Sequence, residues 1–187
     1  ISTCFTEATS YRVHFILMII LDLIFYATSF LTVDFLYDHV QSIGGWSRDQ
    51  FLFFVAITLM IDQVHMCFVS MNFWMLSDHI RTGYLDFILL RPPAVIFSAY
   101  FRHLRPATLL NFIIIVPLLI YFGLTIGLLW WQWILLPFLI LIGLAVLVCL
   151  EMIMSVSMFW LVEGLGVNFL RMQFQALSRW PDFIFQG

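Results

Sequence analysis

The long apolar stretches of this sequence contain ionisable residues, among them Asp22, Asp62, His65 and Glu151. A carboxylate at the centre of a lipid bilayer costs about 2.5–3.5 kcal/mol on insertion scales, so each acid needs a partner or water. Helical spacing places Asp62 and His65 on one face of a helix, and Asp22 and Tyr26 on one face of another. Such faces either bond neighbouring helices or line a substrate path. Both interpretations are open for these five residues. If they line a path, the lack of basic residues in the same stretches favours a cationic amphiphile as cargo.

The sequence lacks the residue patterns that catalysis, metal binding or nucleic-acid binding would need. All eight basic residues are Arg, so it offers neither a P-loop Lys nor a Schiff-base Lys, and its net charge of −3 gives no basic footprint for nucleic acid. Asp62 and His65, with the neighbouring Met and Cys residues, fall short of a metal ligand set. Cys4, Cys67 and Cys149 are too far apart for a disulfide framework or a metal-binding motif. We therefore predict that this chain has no catalytic residue, no cofactor, no metal and no nucleic-acid partner.

The elements that must position these residues follow from the composition. The chain has 187 residues, of which 63% are hydrophobic and 10% charged, and its mean hydropathy is +1.03. Soluble domains are about 45–50% apolar and about 25% charged, so this chain needs lipid as its solvent. Apolar stretches of about 20 residues are long enough to cross a bilayer as helices. The sequence therefore predicts an all-α, polytopic integral membrane helix bundle in one transmembrane domain, 1–187, with crossings near 13–36, 51–76, 106–127 and 133–157.

The segment 165–180 carries an amphipathic stripe that has two interpretations. Asn168, Arg171, Gln175 and Arg179 recur at near-helical spacing opposite an apolar set. Such a stripe suits a helix lying at the membrane interface, or a crossing whose polar face lines a shared path. The residues taken alone favour the interfacial helix.

The placement of arginine predicts the orientation of the bundle, because cytoplasmic loops are enriched in basic residues. The loop 77–105 holds four of the eight Arg residues, whereas the turn 37–50 holds one and the Trp-rich turn 127–133 holds none. The N-terminus and the loop 77–105 are therefore predicted to face the cytoplasm. The loop is also rich in apolar residues, so we expect a short amphipathic unit beginning at Gly83 that lipid or a partner covers.

Three short motifs stand in a definite order relative to the predicted crossings. They are Ile43, Gly44, Gly45, Trp46 and Ser47 before the second crossing, Gly83, Leu85, Asp86, Leu89 and Pro92 after it, and Phe159, Trp160, Glu163, Trp180 and Pro181 near the end. Together they extend over nearly the whole chain. In their order and spacing they resemble the permease subunits of type-2 ABC exporters, most closely an uncharacterised branch of ABC transport system permeases.

The resemblance implies export of an amphipathic or drug-like substrate by a multi-pass protein of the bacterial inner membrane. It implies six crossings per permease, of which five fall within these residues, the fifth at 165–180. It also implies two permease subunits per transporter, as a homodimer or a heterodimer. Cytoplasmic ATP-binding cassette ATPase subunits would bind the ATP and Mg and dock on a coupling helix. In this sequence the docking element corresponds to Arg81, Gly83, Tyr84, Leu85, Asp86, Leu89, Leu90, Arg91 and Pro92.

Two other functions are compatible with the same residues. In a non-transporting membrane scaffold or accessory subunit, the polar faces would only bind other helices. A membrane-embedded lipid-modifying enzyme would have Asp62 and His65 alone to serve as its acid and base. Recovery of a soluble ATPase together with the chain distinguishes the exporter from the scaffold.

Overall fold

The computed structural model describes residues 12–40, 42–90, 102–161, 165–177 and 179–181, and these residues form a helical bundle. They contain no β-strand, and short 3-10 helices cover Pro106–Asn111 and Ser157–Phe159. The α-helices of the described residues are α1 Arg12–Tyr37, α2 Arg48–Phe68, α3 Ser70–Arg81, α4 Tyr84–Leu89, α5 Phe112–Thr125, α6 Trp130–Val156 and α7 Leu165–Leu177. The all-α membrane fold predicted from the composition is confirmed.

Among the described residues, four helices are long and apolar enough to cross a membrane. Helix α2 is the centre of the bundle, because half of its apolar window is buried, whereas the other three windows are 11–28% buried. It packs against α1, α5 and α6. Pro117 and Pro137 lie inside α5 and α6, where neighbouring helices in a membrane protein compensate for the lost hydrogen bond. The four helices are Ile16–Tyr37, Arg48–Phe68, Thr108–Thr125 and Trp130–Phe159.

A tight turn at Ile43–Trp46 reverses the chain between α1 and α2. Gly44 and Gly45 have positive φ angles of 59° and 81°, which a type I′ turn requires at both central positions. The Tyr37 hydroxyl donates to the backbone carbonyl of Trp46 at 3.0 Å and ties the end of α1 to the turn. The Gly-Gly-Trp motif therefore serves to bring two antiparallel helices together over a few residues.

The second predicted crossing is interrupted at Val69, so that α2 ends there and α3 begins as a separate helix. In a continuous helix the carbonyls of Cys67 and Phe68 would accept from backbone N–H groups four residues later. Here the Cys67 carbonyl accepts from the backbone N–H of Arg105 at 3.0 Å, and the Phe68 carbonyl accepts from the Asn72 side chain at 3.2 Å. These competing donors divide the predicted helix in two.

The chain reverses again after α3 and forms the short helix α4 inside the predicted cytoplasmic loop. Gly83 makes this reversal with a left-handed φ of 72°, a conformation that other residues rarely adopt. Leu85 and Ile88 face inward, and Leu85 packs with Leu76 of α3 and Met158 after α6. Helix α4 is therefore fixed to the end of the bundle by its buried residues, Leu85 and Ile88.

Helix α7 covers 13 residues, about 20 Å at 1.5 Å per residue, which is shorter than a ~30 Å hydrocarbon core. It packs against α6 and α3. Asn168, Arg171 and Gln175 are 1%, 2% and 6% exposed, so the polar stripe points into the bundle. An interfacial helix would expose that stripe, and the structure therefore disagrees with the interfacial interpretation. A fifth crossing over 165–180 stays a prediction, because the described helix is too short to test it.

Candidate functional site

Three of the ionisable residues singled out from the sequence meet inside the bundle. Helix α2 contributes Asp62 and His65 from adjacent positions of one face, and α6 contributes Glu151. His65 Nε2 lies 2.6 Å from Glu151 Oε2, and the two side chains are 0% and 3% exposed. The helical spacing thus correctly grouped Asp62 with His65, and the packing of α6 on α2 adds the second acid.

Helix α7 supplies an arginine that neutralises Glu151. Arg171 Nη1 donates to Glu151 Oε1 at 3.1 Å. The same guanidinium lies over the ring of Phe73, 4.9 Å from its centroid, and 5.9 Å from that of Trp74. A buried charge is tolerated when it is paired, and an aromatic face adds cation–π attraction. Glu151 is therefore held from two helices at once, by His65 and by Arg171.

Asp62 is held by α7 and by the residues after it. Gln175 Nε2 donates to Asp62 Oδ1 at 3.0 Å and lies 3.4 Å from His65 Nδ1. Arg179 Nε donates to Asp62 Oδ2, and its guanidinium lies 4.7 Å from the centroid of the Phe25 ring. The two ring nitrogens of His65 thus face Gln175 of α7 and Glu151 of α6.

We call these six residues the ion-pair network. Two carboxylates and two guanidinium groups balance in charge, so Asp62 and Glu151 present no net negative charge to a cation. The expectation of a cationic cargo rested on unpaired acids, and for these two acids the premise does not hold. The network comprises Asp62, His65, Glu151, Arg171, Gln175 and Arg179.

Sequence reasoning found the acids of the network but missed their basic partners. Arg171 and Arg179 were assigned to the polar side of an amphipathic stripe and not paired with Asp62 or Glu151. A signal was available: one polar stripe with two Arg residues complements two acids that have no basic partner in their own helices. Charge balance between segments would therefore have predicted the pairing, although not its geometry.

Asp22 and Tyr26 belong to a separate group, the hydrogen-bond cluster. Asn111 Nδ2 donates to Asp22 Oδ2 at 2.7 Å. The Tyr26 hydroxyl donates to Gln63 Oε1, and Gln63 Nε2 in turn donates to the backbone carbonyl of Thr108. This cluster joins α1, α2 and the 3-10 helix before α5. The five residues predicted to line a path are therefore divided between two groups, and their role in a path stays a prediction.

Three cavities within the described residues border the ion-pair network. A cleft of about 220 Å³ between α1, α2 and the end of α7 reaches Arg179. A second cavity of about 160 Å³, between α2 and α6, reaches Asp62 and Gly143. A third, of about 450 Å³, runs between α6 and α7 and reaches Glu151 and Arg171. Residues of the ion-pair network thus line all three of these cavities.

The predicted docking segment places an apolar surface on the outside of α4. Phe87, Leu89 and Leu90 are 66%, 54% and 79% exposed, and Asp86 is also exposed. Leu85 is buried at 7% exposure, so it anchors the helix and does not form part of the free surface. Phe87, which the sequence motif did not select, contributes to that surface. The segment therefore has an anchoring side and a free side.

Further residues of the predicted docking segment lie at the edge of this surface. Arg81 is exposed and pairs with Asp78 at 3.1 Å. Tyr84 accepts a hydrogen bond from Arg102 Nη1 at 3.0 Å, which links α4 to the chain leading into α5. Gly83 forms the turn between α3 and α4. Two members of the predicted segment, Arg91 and Pro92, lie outside the described residues.

His79 lies beside Tyr84 of α4, at the end of the bundle that carries the predicted docking segment. Its ring is 5.0 Å from that of Tyr84 and 6.4 Å from that of His103, measured between centroids. Burial lowers the pKa of His79 below its ordinary value of 6.5; Arg102 adds to the decrease, and Asp78 opposes it. His79 is therefore biased toward its neutral form.

In the part of the chain that the structure describes, no group of three or more His, Cys, Asp or Glu side chains could hold a metal ion.

Comparison with known proteins gives one finding. Residues 23–187 match a family described as ABC-2 family transporter protein. No curated protein and no solved structure matches the chain. The matched residues contain the whole ion-pair network and α4.

Proposed function

Because the chain belongs to the ABC-2 transporter family, it is a permease of an ABC transporter, and we propose that it exports an amphipathic substrate with energy from a separate ATPase subunit. The 187 residues contain no Lys, so they offer no Walker motif to hold the phosphates of ATP. The cytoplasmic ATPase subunits would bind the ATP and Mg. The permease would supply the route through the membrane and the surface on which those subunits act.

One observation carries the proposal: the free side of α4. A short helix anchored by Leu85 and Ile88 presents Phe87, Leu89 and Leu90 outward at the end of the bundle. Exposed apolar patches of this kind mark interaction sites for proteins or lipid. Because Asp86 is exposed among them, the surface suits a partner with apolar and basic groups. We assign this surface to the ATPase subunit.

The packing around α4 supports a route by which such a partner would act on the membrane helices. Leu85 belongs to one buried cluster with Leu76 of α3, Met158 after α6 and Val167 of α7. A displacement of α4 would therefore be transmitted to α7 through this buried cluster. Helix α7 carries Arg171 of the ion-pair network, so its displacement would change the pairing with α2 and α6.

Orientation and assembly form the rest of the proposal. Arg81, Arg102 and Arg105 lie in the loop that carries α4, whereas the turn between α5 and α6 has no basic residue, and this bias supports a cytoplasmic position for α4. We assign the protein to a bacterial inner membrane, with the N-terminus also cytoplasmic. A second permease subunit, either identical or related, would complete the route.

The test is purification of the tagged protein from its native membranes, followed by identification of bound subunits and measurement of ATP hydrolysis. An ATP-binding cassette ATPase in stoichiometric amount, with cargo-stimulated hydrolysis, is the expected result. Leu89→Asp and Asp86→Arg should remove both without removing the protein from the membrane. Transport of an amphipathic dye into inside-out vesicles tests the direction.

A matched control separates docking from general damage. Leu129 is 55% exposed at the opposite end of the bundle, against 54% for Leu89, so Leu129→Asp introduces the same charge at the same exposure. This variant should keep the ATPase. Normal hydrolysis in Leu89→Asp, or equal loss in both variants, would contradict the assigned docking surface. Recovery of integral membrane partners without any ATPase would instead support the scaffold.

A further inference from the structure

The cleft between α1, α2 and the end of α7 carries a row of hydroxyl groups that the ion-pair network does not use. Thr28, Ser29 and Thr32 line it from α1, and Thr58 lines it from α2. Thr28 and Thr32 are exposed in the described structure. Their concentration in one cleft places several hydroxyl oxygens within reach of an occupant.

Each of these hydroxyl groups donates its hydrogen to a backbone carbonyl of its own helix. Thr28, Ser29 and Thr32 donate to the carbonyls four residues earlier in α1 at 2.7, 2.9 and 2.8 Å, and Thr58 donates within α2 at 2.9 Å. A hydroxyl that donates in this way keeps lone pairs on its oxygen as acceptors. The row therefore accepts hydrogen bonds and does not offer donors. It suits a ligand group that carries N–H or O–H.

The same cleft contains one guanidinium group, that of Arg179. Its bond from Nε to Asp62 uses one of five N–H donors, and its face is covered by Phe25. Because Asp62 balances the charge, the cleft has no strong net charge and favours neither a free cation nor a free anion. Remaining donors on Arg179 suit an anionic oxygen that enters together with a cationic group.

Apolar side chains form the rest of the wall. Val33, Val55 and Leu59 line the cleft beside the hydroxyl row, and Ala176 and Trp180 line it from the α7 side. An acyl chain or other apolar tail would bury its surface against them. The cleft thus combines acceptors, one guanidinium and an apolar wall.

We propose that this cleft binds a zwitterionic amphiphile whose head carries an anionic oxygen group and an ammonium with N–H donors. The anionic oxygens lie at Arg179, the ammonium lies against the hydroxyl oxygens of Thr28 and Thr32, and the tail lies along Val55 and Leu59. The assignment of this ligand as cargo rests on the proposed function, whereas its binding does not.

Two probe molecules test the chemistry. Short-chain phosphatidylethanolamine and phosphatidylcholine with the same acyl chains carry the same charges, but only the former has N–H donors. The test is to measure the binding affinity of each lipid for the purified protein in detergent of fixed composition. Phosphatidylethanolamine should bind about tenfold more tightly, because its ammonium can donate to the hydroxyl row.

A paired substitution locates the binding. Thr28→Val with Thr32→Val keeps the shape of both side chains and removes the two acceptor oxygens, so the preference for phosphatidylethanolamine should disappear. Thr125→Val is the matched control, since Thr125 is exposed on α5 and makes the same bond to a carbonyl four residues earlier, at 2.9 Å. The control should keep the full preference.

Three results would overturn the proposal. They are equal affinity for the two lipids in the wild-type protein, an unchanged preference in the doubly substituted variant, and a preference lost equally in Thr125→Val. If the double substitution dissociates a dimer and leaves lipid binding intact, the hydroxyl row belongs to an interface between copies and the proposal fails.

Separate measurements decide whether the ligand is cargo or a resident lipid and whether the proposed function holds. Stimulation of ATP hydrolysis by phosphatidylethanolamine in the purified complex identifies it as cargo, whereas binding without stimulation identifies a resident lipid. Either result supports the zwitterionic site. Failure to recover an ATPase would overturn the proposed function and leave the lipid measurement valid.

Discussion

The two polar groups of the bundle stabilise membrane acids in different ways. In the ion-pair network, Asp62 and Glu151 each pair with an arginine from the α7 segment. The Glu151–Arg171 pair is fully buried, whereas Arg179 beside Asp62 is 24% exposed. In the hydrogen-bond cluster, Asp22 is only half buried and accepts from the neutral amide of Asn111. Removal of one partner from a buried ion pair leaves an uncompensated charge, whereas removal of the Asn111 amide costs Asp22 one neutral hydrogen bond. The network should therefore be the more sensitive of the two.

The largest effect is expected from Arg171→Met, which leaves Glu151 buried with His65 as its remaining partner. Breaking a buried pair in this way costs about 3–5 kcal/mol. We expect a clear loss of unfolding free energy in detergent, measured by thermal or denaturant unfolding of the purified protein. Helix α7 should lose protection from hydrogen exchange first, since Arg171 attaches it to α6.

A double substitution decides whether charge or packing causes that loss. Arg171→Met together with Glu151→Gln removes both charges and keeps similar volumes, so most of the lost stability should return. If the double variant is as unstable as Arg171→Met, the cause is lost packing of the Arg171 side chain on Phe73 and Trp74 and the electrostatic account fails.

An intermediate effect compares the same substitution in the two groups. Asp62→Asn leaves Arg179 without its anion, and should cost about 1–3 kcal/mol. Asp22→Asn keeps an acceptor for Asn111, and should cost less than about 1 kcal/mol, as hydrogen bonds between membrane helices commonly do. Unfolding of both variants under one condition gives the comparison. Equal costs would remove the distinction between network and cluster.

The smallest effect concerns His79, a titratable group that lies outside both polar groups. Since its pKa is lowered in the folded protein, the unfolded chain binds more protons below the ordinary value of 6.5. The contribution of His79 is therefore complete above that pH and decreases as the pH falls through 6.5 toward the lowered pKa. Hydrogen exchange of α4 at about pH 7.5 and about pH 5.5 measures this change. His79→Gln should flatten it, and an unchanged slope would exclude His79 as its source.

The long helices could be predicted from the sequence because their cause is local. A run of apolar residues long enough to cross a bilayer has few alternatives to a helix, since all its backbone groups must bond within the run. The division at Val69 could not be predicted in this way. It depends on Arg105, 36 positions away, whose backbone N–H takes the carbonyl of Cys67. Hydropathy shows no trace of such a bond.

The candidate site was predictable in part for the same reason. The free-energy cost of placing an acid in lipid identifies Asp62 and Glu151 individually. Helical spacing adds His65, because it lies on the same face as Asp62. Their partners Arg171 and Arg179 follow only from how α7 packs, and the sequence alone favoured a helix at the membrane interface. Whether a polar face meets water or another polar face is a property of the assembled bundle, not of the segment.

The interruption at Val69 has a mechanical consequence for the whole molecule. An unbroken helix from Arg48 to Arg81 would transmit any tilt of one end stiffly to the other end. The break at Val69 separates the two parts, so that α3 and α4 would change their angle to α2 without bending α2 itself. Because α3 touches α7, such a change of angle would be delivered sideways, to the helix that carries Arg171.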